Sequence, residues 1–319
     1  MGYHLLLIAV ALFILFLGAE ALVRGSASLA VRLGLSPLAV GLTIVAFGTS
    51  SPELFVSLQS AFAGQGDIAV GNVVGSNAFN IGVILGLTAL ICPIPVHVQV
   101  VKWDAPVALL VALLLPLLLI GGDLTRGEGG WLLVGLLVYV IINFKMLRTA
   151  TPSASGGSIP VDPPHTFKHG YYDALLIIGG LLVLVVGSHM LVTQAIAVAR
   201  AWGVSEAVIG LTIIAAGTSM PELATSITAA FRRQSDIAIG NVVGSNIFNI
   251  LGILGCSSIC APLVAPGIAW IDYGAMVLFT VMLVPIVWTG YTIRRIEGAG
   301  LLVVYAAYLW ILWPAAASA

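Results

Sequence analysis

The stretch GLTIVAFGTSSPELFVSLQSAFAGQGDIAVGNVVGSNAFNIGVILG (residues 41–86) returns as GLTIIAAGTSMPELATSITAAFRRQSDIAIGNVVGSNIFNILGILG (residues 210–255). The two align without a gap and share about two-thirds of their residues, more than common hydrophobicity would produce. A weaker likeness reaches back to Gly18 and Gly187, so each copy has its own preceding helix. An internal duplication therefore organises the chain.

Outside the duplicated stretch the sequence stays apolar. Hydrophobic residues make up 60% of the 319 and charged residues only 8%, where a water-facing domain carries about 25%. Apolar runs of about 18 or more residues recur from end to end, each long enough to cross a hydrocarbon core. The expected spans are 3–23, 36–62, 68–92, 103–121 and 129–148, then 172–199, 206–230, 237–260, 272–290 and 297–315. Five spans per half is an odd number, so the second copy must lie upside down relative to the first. The expectation is an all-α integral membrane protein of about ten transmembrane helices, built as two inverted-topology five-helix repeats. The first repeat covers 1–148, a polar linker 149–170, and the second repeat 171–319.

Basic residues set the orientation. With the N-terminus outside, Arg24, Arg32, Lys102, Lys145, Arg148, Lys168, Arg232, Arg233, Arg294 and Arg295 fall on the cytoplasmic side, and only Arg126 and Arg200 fall outside. Both termini are thus predicted extracytoplasmic, and the protein is placed as a multi-pass chain in a cell (inner) membrane. Ala19-Glu20-Ala21 resembles a signal-peptide cleavage site, but Met1–His4 holds no Lys or Arg, so the first helix is read as retained. The net charge of −1 leaves no basic surface for nucleic acid. Cys92, Cys256 and Cys260 lie in apolar stretches and read as small core residues.

The chemistry sits inside the repeats. Glu53 and Glu222 hold the same place in the two copies, deep in apolar helices where an unpartnered carboxylate is costly. No basic residue stands at comparable depth. Pro52 and Pro221 lack an amide hydrogen and free the carbonyls of Gly48 and Gly217 one turn earlier, so the helices should break there. Thr49, Ser50, Thr218 and Ser219 add hydroxyls. Such an oxygen-only set suits hard ions such as calcium and sodium. In the second motif, Ser76 and Asn80 share a helix face, as do Ser245 and Asn249, while Gly71, Gly75, Gly240 and Gly244 form a close-packing stripe. Asn72, Asn77, Asn241 and Asn246 serve either helix-to-helix hydrogen bonds or direct ion contact. Glu20 and Arg24 read as an ion pair one turn apart, Asp67 and Asp236 as helix-start caps, and His189 as a structural histidine.

At GTS-x-PE and GN-x-x-GSN-x-FN, intact in both copies, the chain resembles the calcium/cation antiporter superfamily, in its prokaryotic-type sodium/calcium exchanger branch. The resemblance covers essentially the whole chain. It implies metal ligands at Glu53 and Glu222, with Ala46, Thr49, Ala215 and Thr218 around them, Ser50 and Ser219 in support, and Ser76, Asn80, Ser245 and Asn249 completing the set. It implies transported calcium and sodium as the partners, with no cofactor, no catalytic residues and a functional monomer in the bilayer. About three sodium ions would exchange for one calcium by alternating access. Asn at both 80 and 249 argues against potassium cotransport, because potassium-dependent relatives have Asp at the place of Asn249. Three rivals stand against this reading: a proton/calcium antiporter on the same fold, an intramembrane carboxylate hydrolase and a passive channel.

Overall fold

The computed structural model describes residues 2–149, 170–202 and 215–317, nearly all of them helical. In chain order these are α1 (Gly2–Leu33), α2 (Pro37–Thr49), α3 (Ser51–Phe62), α4 (Gly66–Ile91), β1 (Ile94–Pro95), α5 (Val100–Gly121), β2 (Asp123–Leu124) and α6 (Arg126–Thr149). There follow α7 (Gly170–Ala201), α8 (Ala215–Thr218), α9 (Met220–Phe231), α10 (Ser235–Cys260), β3 (Leu263–Val264), α11 (Trp270–Trp288), β4 (Thr292–Ile293) and α12 (Arg295–Ala317). Among the described residues eight helices are long and apolar enough to cross a membrane, and α2 with α3 forms a ninth span bent by 46°. The expected span at 206–230 starts within residues outside the described set, and its described part is α8 and α9. The expected linker falls on undescribed residues as well.

The two copies meet as near-equivalents, with residue 41 matched to 210. β1 pairs antiparallel with β4, and β2 pairs antiparallel with β3. Position for position, β1 corresponds to β3 and β2 to β4, so each ladder joins one copy to the other in the same way. α4 and α10 each widen into a π-helical turn, at Asn80–Leu85 and Asn249–Leu254. Such turns recur at functional positions because the wider loop re-aims side chains. α4 and α10 lie at the centre, with α5, α6, α11 and α12 around them in the main apolar core. The outer faces of the surrounding helices carry exposed Trp131, Trp288 and Trp310, as a lipid-facing surface does.

α1 and α7 form an antiparallel pair whose apolar cluster also takes in Val40 and Val45 of α2, Ala229 of α9, and Ile237 and Ala238 of α10. α1 runs ten residues beyond the expected end at 23. Hydropathy marks only the part in lipid, whereas the remainder stays helical by packing on α7, where Arg32 Nε meets Asp173 Oδ2 at 2.6 Å. Glycines set the spacing: a Cβ at Gly18 would lie 2.9 Å from the Gly180 carbonyl oxygen, and one at Gly180 only 2.7 Å from the Leu22 nitrogen. Gly179 next door has open space. Gly180→Ala should destabilise the protein by about 1–3 kcal/mol through this overpacking, and Gly179→Ala should not. Thermal unfolding of the two variants in one detergent checks the contrast; equal melting temperatures would refute it.

Candidate cation site

Each broken helix turns at one serine. Ser50 (φ −81, ψ 9) separates α2 from α3, and Ser219 (φ −88, ψ 9) separates α8 from α9. Pro52 and Pro221 stand in the first turns that follow, where a missing amide does least harm. The break expected from sequence is therefore present in both copies. It places Glu53 and Glu222 in the first turns of α3 and α9, toward the positive ends of those helix dipoles. Both glutamates are 1% exposed.

The carboxylates are held crosswise. Ser219 Oγ donates to Glu53 Oε1 at 2.9 Å, and Ser50 Oγ donates to Glu222 Oε1 at 2.8 Å. The Ser76 and Ser219 hydroxyls lie 3.2 Å apart, which ties α4 into the same cluster. Glu53 Oε2 and Glu222 Oε2 are buried without a hydrogen-bond partner, as are Asn80 Oδ1, Asn249 Oδ1 and Ser245 Oγ. Buried acceptors without donors are rare and call for a ligand. Among the described residues no three His, Cys, Asp or Glu gather at one point. What is offered is two carboxylates among neutral oxygens, a donor set for hard cations.

The asparagines divide into three pairs. Asn72 Nδ2 donates to the Glu53 carbonyl at 3.2 Å and to Ser57 Oγ at 3.0 Å; Asn241 Nδ2 does the same to the Glu222 carbonyl at 3.3 Å and Ser226 Oγ at 3.0 Å. Their oxygens face Thr218 Oγ1 at 3.4 Å and Thr49 Oγ1 at 3.0 Å. These two residues clamp the glutamate backbones. Asn77 and Asn246 exchange amide-to-carbonyl bonds of 3.1 and 3.2 Å. Their side-chain oxygens accept the amides of Asn249 (3.0 Å) and Asn80 (2.9 Å). With those amides anchored, the oxygens of Asn80 and Asn249 are the ends left without a partner. For the residues left open between packing and ion contact, helix-to-helix bonding is what the structure displays.

Of the expected site residues, Thr49, Ser50, Glu53, Ser76, Thr218, Ser219 and Glu222 are joined through this network, with Asn80 and Asn249 joined to its asparagine layer. Ser245 lies buried on α10. The Ala46 carbonyl accepts the Ser50 amide at 3.1 Å, and Ala215 opens α8 at the matching place. Of the close-packing glycines, Gly240 and Gly244 press α10 onto the backbone of α2 at Gly41 and Leu42. One expectation needs correction: Asp67 and Asp236 are not the caps of their helices, whose N-cap positions are Gln65 and Gln234 with no side-chain cap bond. Asp67 Oδ1 accepts the Gly267 amide at 2.8 Å instead, pinning the chain after β3.

Two sets of residues escaped the sequence reading. Ser57 and Ser226 complete the asparagine clamps, and their identity in both copies was the available signal. Tyr139 Oη donates to the buried Asp104 Oδ1 at 3.0 Å, and Tyr308 Oη donates to Asp272 Oδ1 at 2.7 Å, stapling α5 to α6 and α11 to α12. That Asp–Tyr pairing also recurs in both halves.

A bundle of many spans whose broken helices bury oxygen ligands is the architecture of a secondary transporter. The chain belongs to the sodium/calcium exchanger protein family, whose model matches residues 3–145 and 172–313. It is 37% identical over 313 residues to the putative antiporter CaxA of Alkalimonas amylolytica, covering 96% of this chain and 97% of that one. Against the sodium/calcium exchanger MaX1 of Methanosarcina acetivorans it is 30% identical, covering 97% and 98%. A solved structure of the sodium-calcium exchanger NCX_Mj matches with a TM-score of 0.80 at 30% identity, over 96% of this chain and 97% of that one.

Asn241→Leu should remove the clamp on the Glu222 backbone and strand Ser226 Oγ and a buried carbonyl, lowering stability by about 1–3 kcal/mol. Chemical denaturation of the variant in detergent measures it, and a loss below a few tenths would show that the clamp does not carry load.

Proposed function

We propose that this antiporter exchanges sodium for calcium across a cell membrane by alternating access. The observation that carries the proposal is the pair of buried carboxylates, Glu53 and Glu222, each with one oxygen held by the other copy's serine and one oxygen free. Removing two carboxylates from water costs several kcal/mol each, and hydrogen bonds from serine offset only part of that. A divalent cation between them restores neutrality. The proposed ligands are Glu53 and Glu222, with oxygens drawn from Ala46, Thr49, Ser50, Ser76, Asn80, Ala215, Thr218, Ser219, Ser245 and Asn249.

Sodium coupling is supported by the wording of the glutamate motif in both copies and by the names of MaX1 and NCX_Mj. About three sodium ions in place of one calcium would leave about one net positive charge on the loaded site, making exchange electrogenic. Protons could neutralise the same two carboxylates, so a proton/calcium antiporter is the competing outcome of the test below. The repeats at 1–148 and 171–319, both termini outside, and a monomeric unit belong to the same proposal. α1 and α7 serve as the moving element, since they pack on each other through glycines and lie outside the main apolar core.

Calcium-45 uptake into sodium-loaded proteoliposomes tests this. Uptake should require internal sodium, ignore potassium and generate a membrane potential. Glu53→Gln and Glu222→Gln should each lower it by at least about a hundredfold, as loss of a charged ligand costing about 3 kcal/mol or more would do. Uptake that follows a pH gradient without sodium would transfer the chain to proton coupling.

A further inference from the structure

The bundle obeys the two-fold relation between the copies, but the α1–α7 pair does not. A Cβ at Gly48 would run into Leu181, and one at Gly217 into Val192; both neighbours are on α7. Under a symmetric arrangement one of these glycines would face α1, through Leu12 or Val23, the counterparts of Leu181 and Val192. The pair thus sits displaced toward one side of the two-fold axis. A mirror placement would set α1 against Gly48 and Gly217.

Three matched positions differ in ways that make these two placements unequal. Ser188 on α7 donates to the Gly217 carbonyl at 2.6 Å, the carbonyl that Pro221 leaves without an amide partner. Its counterpart in the first copy is Ala19, which has no hydroxyl to offer Gly48. Glu20 on α1 receives Arg24 Nε at 2.5 Å and a two-pronged contact from Arg232, at the end of α9, with Nε at 2.9 Å from Oε2. The counterparts of Glu20 and Arg232 are His189 and Ala63, which cannot form that pair. Arg233, beside Arg232, holds a left-handed backbone at φ 59 where the first copy has Gly64 at φ 71. A side chain is disfavoured in that backbone, so the turn gives up backbone ease to carry two arginines.

We propose that Ser188 is a positioning residue which, with the Glu20–Arg232 pair, latches the α1–α7 element to the second broken helix in one conformation only. The latch makes the two access states unequally populated at rest, and therefore makes half-saturating sodium differ between the two faces of the membrane. This rests on the exchange reading above. Differential contact is what an equilibrium between states requires if one is to dominate. These contacts exist on one side of the pseudo-symmetric molecule and lack the residues to form on the other.

The test uses the full chain with Cys92, Cys256 and Cys260 replaced by alanine and spin labels at Leu33→Cys on α1 and Ile296→Cys on the bundle. Pulsed electron resonance reads the ratio of the two distance populations without any transport. Ser188→Ala should lower the dominant population's ratio by about fivefold, the scale of one buried hydrogen bond. Ser188→Thr, which keeps the hydroxyl, should restore it, and Glu20→Gln should shift it in the same direction as Ser188→Ala. In vesicles, Ser188→Ala should bring the half-saturating sodium concentrations at the two faces closer together. If Ser188→Ala and Glu20→Gln both leave the distance distribution of the parent unchanged, the latch is overturned. Absence of sodium-driven calcium movement in the parent protein would defeat the exchange reading instead, and the distance populations would still decide the latch.

Discussion

Two carboxylates, buried with no basic side chain beside them among the described residues, impose the constraint from which the rest of the architecture follows. A hydrogen bond to a charged group contributes about 1.5–3 kcal/mol, and each buried ion costs several. Ser50 and Ser219 supply one such bond to each glutamate, and the second oxygen of each is left over. Helix starts and side-chain oxygens surround these two positions, which offsets part of that deficit. The donors are also crossed. Because each glutamate is held from the other copy, neither half completes its own site, and a change in how the copies meet is felt at both carboxylates together.

Around that centre the polar residues sort by what they hold. Asn72 and Asn241 hold backbone, Asn77 and Asn246 hold each other, and Asn80 and Asn249 are oriented by having their nitrogens occupied. The π-helical turns begin at these last two residues, so the local widening of α4 and α10 acts on the side chains whose oxygens stay open. The surrounding helices are fixed in turn by the Asp104–Tyr139 and Asp272–Tyr308 contacts. A reference frame results, against which the glycine-spaced pair α1 and α7 packs.

Much of this was legible in the sequence. The duplication, the breaks at Pro52 and Pro221, and the grouping of Ser, Thr and Glu follow from residue type and spacing alone. The ion pair of Glu20 with Arg24 also follows from spacing, but its extension to Arg232 does not, since it joins helices far apart in the chain. For the same reason Asp67 reads as a local cap in sequence, and the Asp104–Tyr139 contact cannot be seen there. The true end of α1 was hidden because hydropathy reports contact with lipid, whereas the last turns of that helix are held by another helix.

The two short ladders bear on how the protein is made. Ile94 pairs with Ile293, so a strand formed by the end of α4 finds its partner only when all but the last helix has been synthesised. Contacts between residues so distant in sequence form late and slowly. The first half must therefore wait in the bilayer with that edge open and with Glu53 lacking the serine that will hold it. The crossed serine–carboxylate pairs therefore close only once the second half has been made, and the site cannot be assembled from the first half alone.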